Sequence, residues 1–201
     1  MPTLEQLRQI WTRLPSVESK FYFTVLAECG LRLSKPFLVS IDDLNLEHGM
    51  ISIGKVTETK RAFVAFLRPE FADWVREAYL PAREAPVKAK LDIVKADYLG
   101  VNANAEGWAR RLIPFDRDRL RREIKETARQ VLGREFELYG LRKFFATYMV
   151  SQGVPESIVN TLQGRAPLSE FRILIEHYWS PRHEELRQWY LRYAPRVCCF
   201  A

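Results

Sequence analysis

The sequence predicts a mainly α-helical domain that carries a small antiparallel β-sheet. Apolar residues recur at helical spacing through most of the chain, whereas two short segments around 50–53 and 62–67 have the composition of strands. The 201 residues are 47% hydrophobic and 12% aromatic, which is enough to build a buried core. The length suits one domain over residues 1–201, and the chain contains no repeats, low-complexity segments or clear internal linker.

In the first half of the chain, caps and breakers delimit the elements. Thr3 can cap a first helix that Pro15 and Ser16 end, and Gly30 is expected to close the second helix as the residue directly after its C-cap. The predicted elements are a helix over 4–14, a helix over Glu18–Cys29, hairpin strands over Met50–Ile53 and Ala62–Leu67, and a helix over Phe71–Tyr79 ending before Pro81. Residues 82–107, which include Pro86, predict mainly loop with some helix.

In the second half, helical periodicity dominates. Arg117–Leu132 is a clear amphipathic helix, and Pro155 suits the first position of a later helix. Further helices are predicted over Tyr139–Gln152, Pro155–Leu162, Leu168–Trp179 and His183–Tyr193.

Charge and cysteine usage narrow the class of protein. The net charge of +6 and the pI near 9.3 suit a phosphate-rich partner, although many proteins without a nucleic-acid role share them. No apolar run approaches the roughly 20 residues that span a bilayer, so we expect a soluble intracellular protein. Cys29 and the adjacent Cys198 and Cys199 lack the spacing of a zinc site, so we expect reduced thiols and no structural metal.

Four segments are unusual for purely structural helices. They contain an arginine after a glycine-terminated helix, basic residues at a hairpin tip, an arginine early in an apolar helix, and a Gly-Arg turn that precedes a His-Tyr pair. The segments are Cys29-Gly30-Leu31-Arg32-Leu33-Ser34, Thr59-Lys60-Arg61, Tyr139-Gly140-Leu141-Arg142-Lys143-Phe144-Phe145-Ala146-Thr147, and Leu162-Gln163-Gly164-Arg165 with His177-Tyr178.

In this order the four segments resemble the tyrosine recombinase family, and the resemblance runs from about Leu4 to Trp179. Members of that family carry an arginine after a Gly-Leu-Arg turn, a lysine in a β-hairpin, a His-x-x-Arg motif that begins a helix, a Leu-Gly-His turn and a tyrosine nucleophile. The resemblance implies the tyrosine recombinase catalytic-domain fold. It also implies a site-specific DNA recombinase or integrase that cleaves and rejoins duplex strands through a 3′-phosphotyrosyl intermediate.

The resemblance assigns a role to each matching residue. Two arginines clamp the non-bridging oxygens of the scissile phosphate, because a guanidinium is a planar fork of donors that stays charged. A third arginine adds a donor, a lysine protonates the leaving 5′ oxygen, and a tyrosine attacks. The implied catalytic residues are Arg32, Lys60, Tyr139, Arg142, Arg165 and Tyr178, with Lys55 as the alternative to Lys60. Such a site needs no ATP, metal or other cofactor.

Several positions depart from the family pattern. Tyr139 stands where most members have histidine, Arg165 where they have histidine or tryptophan, and Lys35 where glutamate is common. The 13 positions from Arg165 to Tyr178 are more than usual. These departures look like integrases of archaeal viruses and plasmids, or alternatively like a decayed, inactive copy.

The resemblance also implies partners. We expect double-stranded DNA as the substrate, self-association on DNA into a synaptic tetramer, and action in the host-cell cytoplasm at the nucleoid. The first motif arrives at residue 32, which leaves no room for the DNA-clamping domain that usually precedes it. The helix over His183–Tyr193 suits docking on a neighbouring subunit and packing on its own body about equally.

Each motif residue alone also has an ordinary structural explanation. Arg32 could cap a helix, Lys60 could be a solvated hairpin charge, and Arg142 could pair with Glu135 or Glu137. The alternative functions are therefore a non-catalytic DNA-binding module, a type IB topoisomerase, and an unrelated helical protein in which the four motifs coincide by chance.

Overall fold

A computed structural model describes residues 1–53, 63–96, 103–165 and 183–198. Its helices in these ranges are α1 Leu4–Arg13, α2 Val17–Ala27, α3 Pro69–Trp74, α4 Leu80–Ala96, α5 Ala103–Ala109, α6 Arg117–Leu132, α7 Tyr139–Ser151, α8 Glu156–Leu162 and α9 His183–Tyr193. Its strands are β1 Leu44–Asn45, β2 Met50–Ile53 and β3 Phe63–Phe66. The predicted fold class, mainly helical with a small antiparallel sheet, is confirmed.

The sheet has the order β1-β2-β3, and both pairings are antiparallel. Strands β2 and β3 pair with Met50 opposite Phe66 and Ile53 opposite Phe63, as the predicted hairpin requires. The two-residue strand β1 was not predicted, because a segment this short carries no readable alternation. The hairpin loop, which contains Lys55 and Lys60, lies outside the described residues.

Helices α1 and α2 contribute buried residues to the main hydrophobic core. Thr3 accepts the Gln6 amide in a capping box, as predicted for the start of α1. Helix α2 is buried along most of its length, with eight of its eleven residues inaccessible. It contacts both α6 and α7, and so it links the first motif to the third.

The segment around Pro81 and Pro86 departs most from the sequence prediction. The helix predicted to end before Pro81 continues instead through a π-helical turn at Val75–Tyr79 into α4. The expectation of mainly loop is therefore wrong for the described residues 82–96 and 103–107. Pro81 follows the π turn, where the regular hydrogen-bond ladder is already interrupted. The buried Arg83 donates to the carbonyls of Arg111 (2.7 Å) and Ala109, and this tertiary anchor offsets the poor helix propensity of Pro86.

The carboxyl-terminal helices pack around a second, smaller core. This cluster joins α7, α8, α9 and β3 through buried residues that include Phe66, Phe145, Leu162 and Tyr190. Helix α6 has the predicted bounds, and α8 begins one residue later than predicted because Pro155 is its N-cap. Helix α9 has the predicted bounds and packs on α8 and β3 of its own chain.

Two further sequence predictions fall outside the described residues, namely the helix over Leu168–Trp179 and the tyrosine Tyr178 that it contains. No helix within the described residues combines the length and the apolar composition that a membrane-spanning segment needs.

Candidate active site

The first motif residue, Arg32, follows a tight turn at the end of α2. Glu28 is the C-cap of this helix, and Gly30 adopts a left-handed φ of 62° two residues later rather than directly after the cap. A Cβ atom on Gly30 would lie 2.6 Å from Cδ1 of Phe145 and 2.7 Å from Nε2 of Gln163. Only glycine therefore lets this turn pack so closely against α7 and the end of α8.

Arg142 lies in the first turn of α7 and is 3% exposed. Its guanidinium donates to the carbonyl oxygen of Gly30 at 2.6 Å and to that of Gln163 at 3.1 Å. In return, Nε2 of Gln163 donates to the carbonyl oxygen of Arg142 at 2.9 Å. Arg142 thus ties the first, third and fourth motifs together through backbone carbonyls, and its orientation is fixed before any ligand binds.

The charge of Arg142 has no carboxylate partner among the described residues. The suggested pairing with Glu135 or Glu137 is not observed, and Glu137 instead accepts a hydrogen bond from Lys125 at 3.0 Å. Burial, followed by repulsion from Arg165 and then Arg32, lowers the pKa of Arg142 to about 10, and Tyr139 acts in the opposite direction. The guanidinium remains charged at neutral pH, and an anion beside it would relieve this repulsion.

Arg32 and Arg165 lie near Arg142 but are exposed. Neither side chain makes a hydrogen bond or ion pair to another described residue. Arg165 follows Gly164, whose φ of 60° turns the chain after α8, and its backbone amide donates to Asn160 at 2.9 Å. The two exposed guanidiniums are therefore available to a ligand.

Tyr139 begins α7 on the exposed side of the cluster. Its side chain is 49% exposed, and Nζ of Lys143, one helical turn later, lies 5.9 Å from the centre of its ring. The phenol interacts electrostatically with Arg142 and can donate and accept hydrogen bonds at the rim of the cluster.

Together these residues form a positively charged surface that could hold a multivalent anion. One buried guanidinium is held rigidly, and two exposed ones can close on oxygens from different directions. A depression of about 900 Å³ lies elsewhere, between residues 37–40 and 107–118, and none of the three arginines lines it. In the part of the chain that is described, no group of three or more His, Cys, Asp or Glu side chains could hold a metal ion.

Comparison with protein families identifies the chain. Residues 3–178 match the model of the phage integrase family, which is most of the sequence. The chain belongs to the phage integrase family. Its likeness to the tyrosine recombinases, drawn from four short motifs, is thereby confirmed at the level of the family.

Solved structures of two integrase-type proteins have a similar fold. A crystal structure of XerA recombinase matches with a TM-score of 0.56 and 19% identity over 97% of this chain, and the integrase of mycobacterium phage Brujita matches with a TM-score of 0.62 and 15% identity over 100%. The chain spans 64% and 61% of the lengths of those two proteins. Comparison with curated protein sequences finds no match.

The structure adds Gln163, to which the sequence analysis assigned no role. Gln163 is 1% exposed and exchanges hydrogen bonds with the backbone and side chain of Arg142. Its Oε1 atom has no hydrogen-bond partner among the described residues. The signal in the sequence was a glutamine directly before the Gly-Arg turn of the fourth motif, but a contact across 21 positions cannot be inferred from that alone.

Proposed function

We propose that residues 1–201 are the catalytic domain of a site-specific DNA recombinase that cleaves and rejoins duplex DNA through a 3′-phosphotyrosyl intermediate. The observation that carries the proposal is the buried, carbonyl-anchored guanidinium of Arg142 beside two exposed arginines, with no carboxylate partner among the described side chains. Such an excess of positive charge at one point favours a ligand that carries several anionic oxygens. A phosphodiester, which is what this family's substrate offers, has that chemistry.

In the proposed reaction, Arg32, Arg142 and Arg165 stabilise the charge that builds on the non-bridging oxygens of the scissile phosphate. Donors fixed in advance where charge develops contribute about 3–4 kcal/mol each in comparable sites. The phenol oxygen of Tyr178 attacks phosphorus, and the 5′ oxygen leaves with a proton from Lys60, or from Lys55 as the alternative. The new phosphotyrosyl bond replaces the phosphodiester bond that breaks, so the strand can be rejoined without ATP.

Tyr139 occupies the position at which most members have histidine. A phenol with a pKa of about 10 in water is a poor acceptor for the proton of the nucleophile. We therefore assign Tyr139 a hydrogen bond to the phosphate and leave that proton to substrate or water. Because of the substitutions at Tyr139 and Arg165, we also propose that the chain belongs to an integrase of an archaeal virus or plasmid.

A suicide duplex, nicked so that the strand beyond the cut diffuses away, tests the proposal. Wild-type protein is expected to form a covalent adduct that resists denaturation, and peptide mapping should locate it at Tyr178. Tyr178→Phe removes the nucleophile and Arg142→Ala removes the anchored guanidinium, so both should abolish the adduct. Specific duplex binding without any wild-type adduct would instead establish the non-catalytic DNA-binding module.

Salt dependence separates either DNA-binding function from an unrelated helical protein. Phosphate contacts release condensed counterions, so duplex affinity should fall steeply between about 50 and 200 mM salt. Recombinant products joined between two duplexes, as opposed to relaxed supercoils alone, separate a recombinase from a type IB topoisomerase. Formation of such products at a 4:2 ratio of protein to duplex would support the synaptic tetramer.

A further inference from the structure

Glu28, the C-cap residue of α2, is a fully buried carboxyl group that lies two residues before Gly30. Its Oε1 atom accepts the backbone amides of Val197 at 2.6 Å and Cys198 at 2.8 Å, whereas Oε2 has no hydrogen-bond partner among the described residues. Burying a carboxyl group in an apolar core costs free energy unless its oxygens accept hydrogen bonds. Here it is the acceptor for two buried amides that lie 169 and 170 positions further along the chain.

Two arginines, the buried Arg68 and the half-buried Arg8, hold the same carboxyl-terminal segment in place. Arg68 donates to the carbonyl of Leu191 at 2.8 Å and also to that of Ala194, at the end of α9. Nε of Arg8 donates to the carbonyl of Arg196 at 3.0 Å. Val197 and Cys198 are 0% and 2% exposed, so the segment after α9 is part of the core rather than a loose terminus.

The turn that follows Glu28 contacts β3, α9 and α7 next to the arginine cluster. The thiol of Cys29 donates to the carbonyl of Phe66 at 3.2 Å and lies 3.9 Å from the hydroxyl of Tyr190 in α9. Gly30 then packs on Phe145 and accepts the hydrogen bond from Arg142. Three consecutive residues therefore connect the carboxyl-terminal segment to the backbone that orients Arg142 and leads into Arg32.

We infer that Glu28 is a positioning residue for the phosphate site. By accepting the backbone amides of Val197 and Cys198, Glu28 holds the carboxyl-terminal segment against the turn that carries Gly30 and Arg32, and so keeps that turn ordered. The inference rests on the proposed function for its catalytic consequence. According to this inference, the carboxyl-terminal segment that Glu28 holds helps to position the active site, in addition to being part of the core.

Three substitutions and one truncation of the 201-residue chain test this inference. Glu28→Leu removes the acceptor and leaves two buried amides unpaired, whereas Glu28→Gln keeps one carbonyl oxygen for both. A chain that ends after Arg196 removes both donors. Tyr79→Phe is the matched control, because it deletes another buried hydrogen bond of the main core, from Tyr79 to the carbonyl of Leu112 (2.7 Å).

The readout is the rate of adduct formation on the suicide duplex at saturating DNA, with duplex affinity measured separately. A misplaced phosphate clamp should slow cleavage by about tenfold or more in Glu28→Leu and in the truncated chain. Affinity should stay within about twofold, since DNA contacts are spread over many phosphates. Glu28→Gln should restore at least half of the wild-type rate, and Tyr79→Phe should cleave like wild type at temperatures where it is folded.

Two results would overturn the inference even when wild-type protein cleaves normally. One is a wild-type rate at saturation in Glu28→Leu, and the other is an equal loss in Tyr79→Phe, which would reveal general destabilisation. Adding Glu28→Leu to the truncated chain should cause no further loss, because the group through which Glu28 acts is already gone.

A measurement without DNA keeps the inference separate from the proposed function. Amide hydrogen exchange in a peptide covering residues 28–33 should rise at least about tenfold in Glu28→Leu and in the truncated chain, and stay within about twofold of wild type in Glu28→Gln and Tyr79→Phe. If wild-type protein forms no adduct, the catalytic role fails with the proposed function. Unchanged exchange in Glu28→Leu would show that Glu28 does not order this turn.

Discussion

At the scale of single residues, the candidate site depends on an arginine that is anchored by backbone rather than by carboxylates. Arg142 donates hydrogen bonds to the carbonyls of Gly30 and Gln163. These two contacts fix the plane of its guanidinium without neutralising its charge. A carboxylate in the same place would compete with a phosphate for that charge. The arrangement therefore combines a fixed orientation with a positive charge that no carboxylate among the described residues neutralises.

Arg142→Lys tests the need for the planar guanidinium. A lysine keeps the charge but cannot reproduce two fixed contacts together with donors for a phosphate. We expect adduct formation on the suicide duplex to fall about 100-fold or more. Arg13→Lys, an exposed arginine at the end of α1, is the matched control and should cleave like wild type. Equal activity of the two variants would show that Arg142 acts only as a point charge.

Tyr139→His tests the departure at the rim of the cluster. A neutral imidazole can accept the proton of the nucleophile, whereas a protonated one cannot. The variant should therefore cleave several-fold faster as pH rises through about 6.5, the ordinary pKa of histidine. Tyr139→Phe, which retains the ring but no proton chemistry, should lack this step. Single-turnover rates from pH 5.5 to 8 would contradict the assignment if the histidine variant followed the wild-type profile.

Glu28 makes the folding stability depend on pH. Burial raises its pKa to about 7 from an ordinary value of 4.5, so its contribution is fully present below about pH 4.5 and is lost as pH rises through 7. A shift of this size corresponds to about 3 kcal/mol. The free energy of unfolding of wild type, measured relative to Glu28→Gln by urea denaturation, should fall by up to this amount between pH 5 and 8. A constant difference between the two proteins over this range would show that Glu28 titrates normally.

At the scale of elements, helix α4 shows where local patterns fail. The sequence predicted α6 and α9 with their observed bounds, because helical periodicity marks both. In the structure Asp116 caps the start of α6 and Gly133 is its C-cap. It failed over α4, because Pro81 and Pro86 are strong local breakers, whereas the anchor that holds the helix, Arg83, acts through carbonyls about 26–28 positions away.

Pro86→Ala is expected to stabilise the protein. Proline in a helix interior lacks the amide that would donate to the preceding turn and costs up to about 3 kcal/mol relative to alanine. Pro86 is exposed, so its removal loses little packing. We expect a gain of about 1–3 kcal/mol in the free energy of unfolding. Lys88→Ala, an exposed change in the same helix, should shift it by less than about 0.5 kcal/mol. A destabilised Pro86→Ala variant would mean that the proline is needed for the course of α4.

At the scale of the whole molecule, the motifs meet because helices α2, α7 and α8 converge on one point. Gly30 makes that convergence close, and the second core behind it joins α7 and α8 to α9 and β3. The sequence identified the family and proposed Arg32, Arg142 and Arg165, since each stands in a recognisable motif. It did not assign roles to Gln163 and Glu28, because their partners lie 21 to 170 positions away and leave no local pattern.

The most direct test of the account is a crystal structure of the protein trapped on a suicide duplex. We expect the scissile phosphate to be esterified to Tyr178. Guanidinium nitrogens of Arg32, Arg142 and Arg165 should lie about 2.7–3.1 Å from its free oxygens. Arg142 should still donate to Gly30, and Lys60 or Lys55 should approach the 5′ side. A phosphate bound away from these arginines, or esterified to a different tyrosine, would contradict the account.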